Sequence, residues 1–297
     1  MSKLRAAFTA AMCALALLFA LSYAGRIHPI GDSFAVFRPW IAVTFAAVLI
    51  GTALLYSARW VKLGGAAVAC VLVFQAAETW FDNQIATPPN WMVVVYQKNL
   101  NFRLKDPALL VADIRSVGAP FVTLQEVTPR NKAVLKSLVD DYPFHHWCPF
   151  NAVGGTAVAS KFSVIEGSRR CAEGGFTAMK VDFNGQPTWI VSLHLHWPWP
   201  YRQAAHVDQL ADDLAALKGP IIIGGDFNMT EGSYTLRRIQ ELTFTVRASG
   251  SGGTYVLRDV VPLKIDHVLL PTCGFTARRP LFGSDHRGVV ARFGNDC

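Results

Sequence analysis

Several polar residues of this 297-residue chain come directly after apolar runs that have the composition of buried β-strands. Glu126 follows the run FVTLQ, Asp226 follows the run PIIIGG, and His194 follows the run WIVSL. Strand ends are common positions for functional side chains, because the backbone holds the side chain there while the adjacent loops leave room for a ligand. Carboxylate oxygens bind hard cations such as Mg²⁺ and Mn²⁺, and imidazole exchanges a proton near neutral pH. Together the three residues predict a metal-assisted acid–base site, although each one alone also fits a turn or a helix cap.

Further polar residues extend this pattern along the chain. They are Asn99 in YQKNLN, Asn228 in GGDFN, Asp266 in IDHV, and Asp285 with His286 in GSDHRG. No group of cysteine and histidine residues has the spacing of a closed zinc site, so the sequence favours oxygen ligands. Several independent strand ends with complementary polar side chains are difficult to explain as turns alone.

These motifs, in this order, resemble those of the endonuclease/exonuclease/phosphatase superfamily, which includes pancreatic deoxyribonuclease, AP endonucleases, neutral sphingomyelinases and inositol-polyphosphate 5-phosphatases. The resemblance extends from residue 91 to the C-terminus and is most specific in GGDFN and GSDHRG. It implies two stacked β-sheets flanked by helices, a four-layer α/β/β/α fold, in a membrane-anchored protein of bacterial type. It also implies an enzyme that hydrolyses a phosphodiester or phosphomonoester with Mg²⁺ or Mn²⁺, on nucleic acid or on a phospholipid headgroup.

The resemblance also implies a role for each residue of the pattern. The base takes a proton from water, and a carboxylate fixes the tautomer of the imidazole. The implied roles are metal ligands Glu126, Asn99 and Asp285 (the last for a second metal), general base His286, orienting carboxylate Asp266, nucleophile-positioning residue Asp226, and phosphate donors Asn228 and His194.

Two positions of the pattern have a competing residue. A lysine precedes Asn99 where the family usually has an aromatic or small residue, so Asn101 is an alternative. A leucine precedes His194 where the family has threonine, so His196 is an alternative there. The carboxylate or tyrosine that some members use in the middle of the chain has no clear counterpart, so the proton donor to the leaving group stays unassigned.

The elements around these residues alternate between strands and helices. The run WMVVVY is continuously apolar and β-branched, as in a strand that is buried on both faces. Residues 107–117 and 203–217 have the apolar spacing of helices. Buried strands that alternate with helices predict a layered α/β domain.

The first 90 residues differ sharply from this domain. The chain is 52% hydrophobic, and only nine of its charged residues lie before residue 91. Apolar runs at residues 6–24, 40–56 and 63–77 predict about three transmembrane helices in a lipid bilayer, because about 20 apolar residues cross the hydrocarbon core. The first run also fits a signal peptide, and the third also fits an interfacial or tilted segment. The predicted organisation is therefore a transmembrane region (1–82), a linker (83–90) and a catalytic domain (91–297).

Basic residues in the short loops predict the orientation in a bacterial inner or plasma membrane. Lys3 and Arg5 precede the first run, and Arg59 and Lys62 lie between the second and third runs. Three crossings place both pairs in the cytoplasm and the catalytic domain outside it. That domain holds 22 basic and 18 acidic residues, a mild excess that does not resemble a dedicated DNA binder.

Four cysteines lie in the predicted outer domain, namely Cys148, Cys171, Cys273 and Cys297. An even number in an oxidising compartment indicates disulfides, with three possible connectivities, and four free thiols are the alternative. The proximity of Cys148 to Cys171 in the sequence favours that pair.

The loop HWPWPY after His194 fits stacking on bases, contact with a lipid interface, or packing on the domain itself.

A membrane-tethered binding module on the same fold is the alternative function. Such a module would be expected to lack a metal or base residue, and none is clearly missing. Nothing in the sequence indicates the oligomeric state.

Overall fold

The computed structural model describes residues 2–56, 59–80, 93–172, 174–250 and 252–294, so the predicted linker lies outside the described residues. The helices are α1 Ser2–Leu21, α2 Ile30–Val36, α3 Arg38–Leu55, α4 Arg59–Trp80, α5 Ala108–Val117, α6 Ala133–Ser137, α7 Gln203–Ala215 and α8 Tyr234–Thr243. The strands are β1 Val93–Asn99, β2 Phe121–Val127, β3 Phe144–Asn151, β4 Gly154–Ser160, β5 Arg170–Ala172, β6 Phe176–Phe183, β7 Gln186–His194, β8 Ile221–Asp226, β9 Val246–Arg247, β10 Ser249–Gly250, β11 Tyr255–Leu257, β12 Val261–Leu263, β13 Asp266–Leu270, β14 Gly274–Arg278 and β15 Val289–Phe293.

Two mixed sheets stack face to face. The first has the strand order β10-β14-β15-β1-β2-β4-β3, and the second has the order β5-β6-β7-β8-β13-β9. Val95 and Phe121 of the first sheet and Met179 and Ile222 of the second are fully buried in one apolar cluster between the sheets. This cluster exists because the central strands are apolar on both faces, as the run WMVVVY predicted.

Helices cover the outer faces of both sheets. Leu110 of α5 and Val134 of α6 pack in one cluster with residues of the first sheet. Leu210 of α7 and Ile239 of α8 pack in another with residues of the second. The four-layer α/β/β/α architecture predicted from the sequence is thereby confirmed.

Strand pairing brings the polar strand ends together. β1 and β2 are parallel neighbours with Asn99 opposite Gln125, and β7 and β8 are parallel neighbours with His194 opposite Asp226. β13 runs antiparallel to β8, so that its first residue, Asp266, lies opposite the last residue of β8. The carboxyl ends of four strands and the start of a fifth therefore meet at one edge of the sandwich.

The N-terminal region contains two helices that are long and apolar enough to cross a membrane, rather than the three predicted. These are Lys3–Leu21 and Arg38–Leu55, while the apolar part of α4 is the shorter stretch Val61–Ala77.

Residues 22–37 connect α1 to α3 and include the short helix α2. We call this segment the strap. Ala35 and Val36 of the strap are each 1% exposed and belong to the apolar cluster beneath α7 and α8. The strap therefore packs into the sandwich domain although it lies far from it in sequence.

The predicted disulfide between Cys148 and Cys171 is present. It joins β3, an edge strand of the first sheet, to β5, an edge strand of the second. This bond excludes four free thiols and the two connectivities in which Cys148 or Cys171 pairs with another cysteine. Cys297 lies outside the described residues.

Candidate active site

Asp226 lies at the centre of the cluster that the strand ends form. Its Oδ2 accepts a hydrogen bond of 3.0 Å from Asn99 Nδ2, and the Nε2 atoms of His194 and His286 each lie 3.7 Å from the same oxygen. Its Oδ1 accepts a 2.9 Å hydrogen bond from the backbone N–H of Asn228. Asp226 is 2% exposed. Water therefore screens its carboxylate poorly, and the groups that it faces affect its pKa.

Glu126 stands at an irregularity in the pairing of β2 with β4. Its backbone has a φ of 56°, in the left-handed region that few non-glycine residues adopt. Its Oε2 accepts a 2.7 Å hydrogen bond from the N–H of Phe102, and its Oε1 accepts a 3.2 Å bond from Asn99 Nδ2. The irregularity turns this half-buried carboxylate toward the same space as Asp226.

Asn99 bridges the two carboxylates through its amide nitrogen. Its oxygen faces the other way and accepts a 2.9 Å hydrogen bond from the N–H of Asn101. The structure therefore gives Asn99 the position of a donor that orients Glu126 and Asp226, and its role as a metal ligand stays a prediction. Asn101, the competing residue, instead accepts from the N–H of Arg103 through its side chain.

His286 forms a dyad with Asp266. Its Nδ1 lies 2.8 Å from Asp266 Oδ2, which leaves Nε2 directed toward Asp226. Gln97 donates from its single amide nitrogen both to Asp266 Oδ1 at 3.1 Å and to Gln125 Oε1 at 2.8 Å. The imidazole is thus held by a chain of buried polar side chains that begins in the core between the sheets.

In the dyad, each partner shifts the pKa of the other so that the charged form of both is favoured. Burial alone would lower the pKa of His286, but the nearby carboxylates of Asp266 and Asp226 outweigh it and raise that pKa to about 10. Burial would raise the pKa of Asp266, yet the charge and hydrogen bond of His286 hold it below its ordinary value. Burial lowers the pKa of His194 to about 3. These directions favour a charged His286 paired with an ionised Asp266, and a neutral His194.

The cluster opens into a cavity of about 280 Å³. Asp285 is exposed at its mouth, and the aromatic residues Phe150, Trp197, Tyr201 and Tyr255 form much of its wall. A pocket with an acidic floor and an aromatic wall fits a ligand that carries both a phosphate–metal group and an apolar or planar part.

The structure distinguishes between the competing histidines. His194 is buried with Nε2 directed at Asp226, whereas half-buried His196 lies between Phe150 and His206, with ring centroids 5.1 and 4.6 Å away. Both line the cavity. The amide of Asn228 donates to Leu195 O at 2.7 Å, so it ties the ends of β7 and β8 together in addition to lining the pocket.

Sequence reasoning did not single out Gln97 or Tyr255. The ring of Tyr255 lies 4.8 Å from that of His286 at an interplanar angle of 33°. Gln97 stands two residues before Asn99 on the same strand. Because side chains alternate along a strand, both lie on one face, and this spacing could have identified Gln97 from the sequence. Tyr255 lies on a short two-stranded hairpin with no periodic pattern, and nothing near it in the sequence indicated its position.

The residues present fit a hard divalent cation. Ligand atoms of Asp226, Asp266 and His286 lie within 4.8 Å of one another, and the carboxylates of Glu126 and Asp285 line the same cavity. Oxygen-rich sites of this kind favour Mg²⁺ or Mn²⁺ over Zn²⁺. Among the described residues, the other such group contains Cys148 and Cys171, whose sulfurs form the disulfide.

A sandwich of two mixed sheets with this acidic edge is the fold of the DNase-like phosphoesterases. Residues 97–286 match the Endonuclease/Exonuclease/phosphatase family model. The chain therefore belongs to this family and is a metal-dependent phosphoric-ester hydrolase. No protein of curated function matches the chain.

Solved structures with the same fold share little sequence with the chain. A family protein from Leptotrichia buccalis has a TM-score of 0.55 at 14% identity, over 68% of this chain and 99% of that one. Truncated Caenorhabditis elegans TDP2 has a TM-score of 0.52 at 17% identity, over 68% and 97% of the two chains. The human Nocturnin catalytic domain, solved with a bound sulfate anion, has a TM-score of 0.51 at 17% identity, over 68% and 93%. These similarities show the fold, and the site geometry carries the chemistry.

Proposed function

We propose that the protein is a membrane-anchored phosphodiesterase that uses Mg²⁺ or Mn²⁺ and acts outside the cytoplasm. The observation that carries the proposal is the convergence of the His286–Asp266 dyad with the carboxylates of Asp226 and Glu126 in one cavity. A carboxylate cluster beside an oriented imidazole is suited to bringing a metal-bound phosphate and an attacking water together.

In this proposal Glu126 holds the metal, with Asp285 at the mouth as a further ligand, and Asn99 keeps the carboxylates in position. When bound, the cation would neutralise charge on the phosphate oxygens, and its positive charge would lower the pKa of a nearby imidazolium. His286 in its neutral form takes the proton of the attacking water at Nε2, while Asp266 holds Nδ1 in the matching tautomer. Asp226 accepts a hydrogen bond from that water and directs it.

In this proposal the neutral imidazole of His194 donates from Nε2 to a phosphate oxygen once a substrate occupies the cavity. Asn228 supports this position, because its bond to Leu195 fixes the residue that follows His194. Preorganised donors of this kind stabilise the charge that develops on oxygen in the transition state.

The contact between the strap and the sandwich domain supports the predicted side of the membrane. The strap connects α1 to α3, so it lies on the side opposite the N-terminus if α1 crosses the bilayer. The sandwich domain packs against the strap, and in this proposal it therefore lies on that same side.

The test is hydrolysis of bis-p-nitrophenyl phosphate by the full-length protein in detergent micelles. We expect turnover that is abolished by EDTA and restored by Mg²⁺ or Mn²⁺. Glu126→Ala and His286→Ala should each lower kcat by about 10²-fold or more. Glu166→Ala and His145→Ala, which change the same residue types at exposed positions, should leave kcat within about twofold.

Several outcomes would contradict the proposal. Turnover that survives EDTA would exclude the metal role, and wild-type turnover in either site variant would exclude the role of that residue. If the wild-type protein hydrolyses neither this compound nor plasmid DNA, RNA, sphingomyelin or phosphoinositides, a binding module on the same fold becomes the better description.

A further inference from the structure

The strap contacts both loops that follow the central catalytic strands. Ser33 Oγ donates a 2.6 Å hydrogen bond to the carbonyl of Trp199, in the loop after His194. Thr230, two residues after Asn228, donates a 2.8 Å bond from its hydroxyl to the carbonyl of Ala35. One short segment of the membrane region is thus bonded to the loop after β7 and to the loop after β8.

Asp32 bonds the strap to the helix that follows the loop after β8. Its two carboxylate oxygens accept hydrogen bonds from the N–H groups of Tyr234 at 2.8 Å and Thr235 at 2.9 Å, which begin α8. The next N–H, that of Leu236, is bonded to the side chain of Ser233. Free N–H groups at a helix start need acceptors and favour negative charge. The helix after β8 is therefore capped partly by its own loop and partly by the strap.

Packing shows that the fit is close. Asp32 is 4% exposed, and Ala35 and Val36 join an apolar cluster that also contains Leu193 of β7. A Cβ atom on Gly25 would lie 2.2 Å from Asp32 Oδ1, which is far inside van der Waals contact. The strap therefore needs a glycine at this position to bring Asp32 to the helix.

We propose that the strap is a positioning element of the active site, which holds the loops after β7 and β8 at a fixed separation. His194 ends β7 and Asp226 ends β8, and the pairing of the two strands sets their 3.7 Å approach. The loops that follow carry Trp197, Tyr201 and Asn228, which line the same cavity, so the positions of these side chains depend on how the loops are held. A displacement of about 1 Å can lower the rate of an enzyme substantially. The kinetic part of this inference rests on the proposed function, whereas the structural part does not.

The experiment compares Asp32→Ala with the wild type, both as full-length protein in detergent micelles. We expect kcat for bis-p-nitrophenyl phosphate to fall about tenfold, with a smaller rise in KM, because Trp197 and Tyr201 of the loop after β7 line the cavity. Amide hydrogen exchange should become faster in two separate segments, residues 195–203 and 227–236. Asp32→Asn keeps one carbonyl acceptor, so its kcat should lie between those of the other two proteins.

Ser233→Ala is the matched control, because it removes a cap from the same helix end without touching the strap. Its exchange should rise only around the start of α8, and its kcat should stay within about twofold of the wild type. Gly25→Ala, which displaces Asp32 by steric overlap, should reproduce Asp32→Ala. Gly64→Ala has no atom within 4 Å of the added methyl group and should behave as the wild type.

The proposal is overturned if Asp32→Ala leaves exchange in residues 195–203 unchanged, or if Ser233→Ala lowers kcat as much as Asp32→Ala does. Either result would reduce Asp32 to a cap of α8. If Asp32→Ala does not fold, Ser33→Ala removes only the bond to Trp199 and should still raise exchange in residues 195–203, and no rise there refutes the proposal. If the wild-type protein is inactive, the proposed function fails while the exchange data still decide the role of the strap.

Discussion

The N-terminal helices and the sheet sandwich use buried polar side chains in opposite ways. Among the described residues up to position 80, the buried polar side chains are Ser22, Asp32 and Thr52. Ser22 and Asp32 belong to the strap, and Thr52 donates to the carbonyl of its own helix at Val48. In the sandwich, by contrast, buried polar residues form a connected group at one edge of the sheets. The described N-terminal helices therefore bury few polar side chains, whereas the sheet edge concentrates them at the candidate active site.

This difference predicts how the two regions respond to substitution. A change at the sheet edge should affect turnover far more than membrane association, because each side chain there holds another in place. A change at an exposed apolar side chain of an N-terminal helix should affect membrane association far more than turnover. A change in the strap should affect both, because the strap connects two N-terminal helices and also contacts the loops after β7 and β8.

The largest effect expected in the sandwich is that of Asp266→Asn. The amide cannot balance the charge of His286 and favours the wrong tautomer, so kcat should fall by about 10²- to 10⁴-fold. Steady-state kinetics with bis-p-nitrophenyl phosphate measures this, with the exposed Asp182→Asn as the control. A kcat above a third of the wild-type value would remove the orienting role of Asp266.

A smaller effect concerns the pH dependence of stability, which should originate in the sandwich. Burial lowers the pKa of His206 to about 4, although its bond to the carbonyl of Gly174 acts in the opposite direction. The ordinary value is about 6.5, so below that pH the unfolded chain binds a proton that the folded chain excludes. The free energy of unfolding should therefore decrease as pH falls from about 6.5 to 4, by at most about 3 kcal/mol from this group.

Urea denaturation at several pH values tests this prediction. The profile of His206→Gln should be flatter than that of the wild type over the same interval. The exposed His145→Gln serves as the control and should keep the wild-type slope. Equal slopes for all three proteins would exclude His206 as a source of the acid sensitivity.

The smallest effect on catalysis should come from Phe74, a 68% exposed side chain on α4. Phe74→Ser removes an apolar side chain from the helix surface and should leave kcat within about twofold, while making the protein easier to extract from membranes with urea. Activity and extraction are measured on the same preparations. A loss of turnover comparable to that of Asp266→Asn would break the division between the two regions.

Most of the sandwich and its acidic edge could be predicted because their signals are local. The run WMVVVY indicates a buried strand, and a compact motif such as GGDFN carries a strand end and two site residues within five positions. The layered fold followed from such runs, and the resemblance supplied the second sheet. The roles assigned to individual residues remain predictions for the kinetics above.

The strap and the orientation of Asn99 could not be predicted, because they depend on contacts between distant parts of the chain. Asp32 and Tyr234 are 202 positions apart, and a single aspartate in a short loop resembles ordinary turn chemistry. Asn99 presents its nitrogen to the site only because the N–H of Asn101 occupies its oxygen. β3 was missed as well, since the histidines and the proline of FHHWCPFN interrupt the apolar pattern of a strand.

The left-handed backbone of Glu126 has its counterpart at Asn228, whose φ is 50°. Backbone in this region costs about 1 kcal/mol or more for a residue other than glycine, and glycine would adopt it freely. At both positions a change to glycine would therefore relax the backbone and delete the group that the chemistry uses. At these two positions a relaxed backbone and the proposed catalytic role therefore exclude each other.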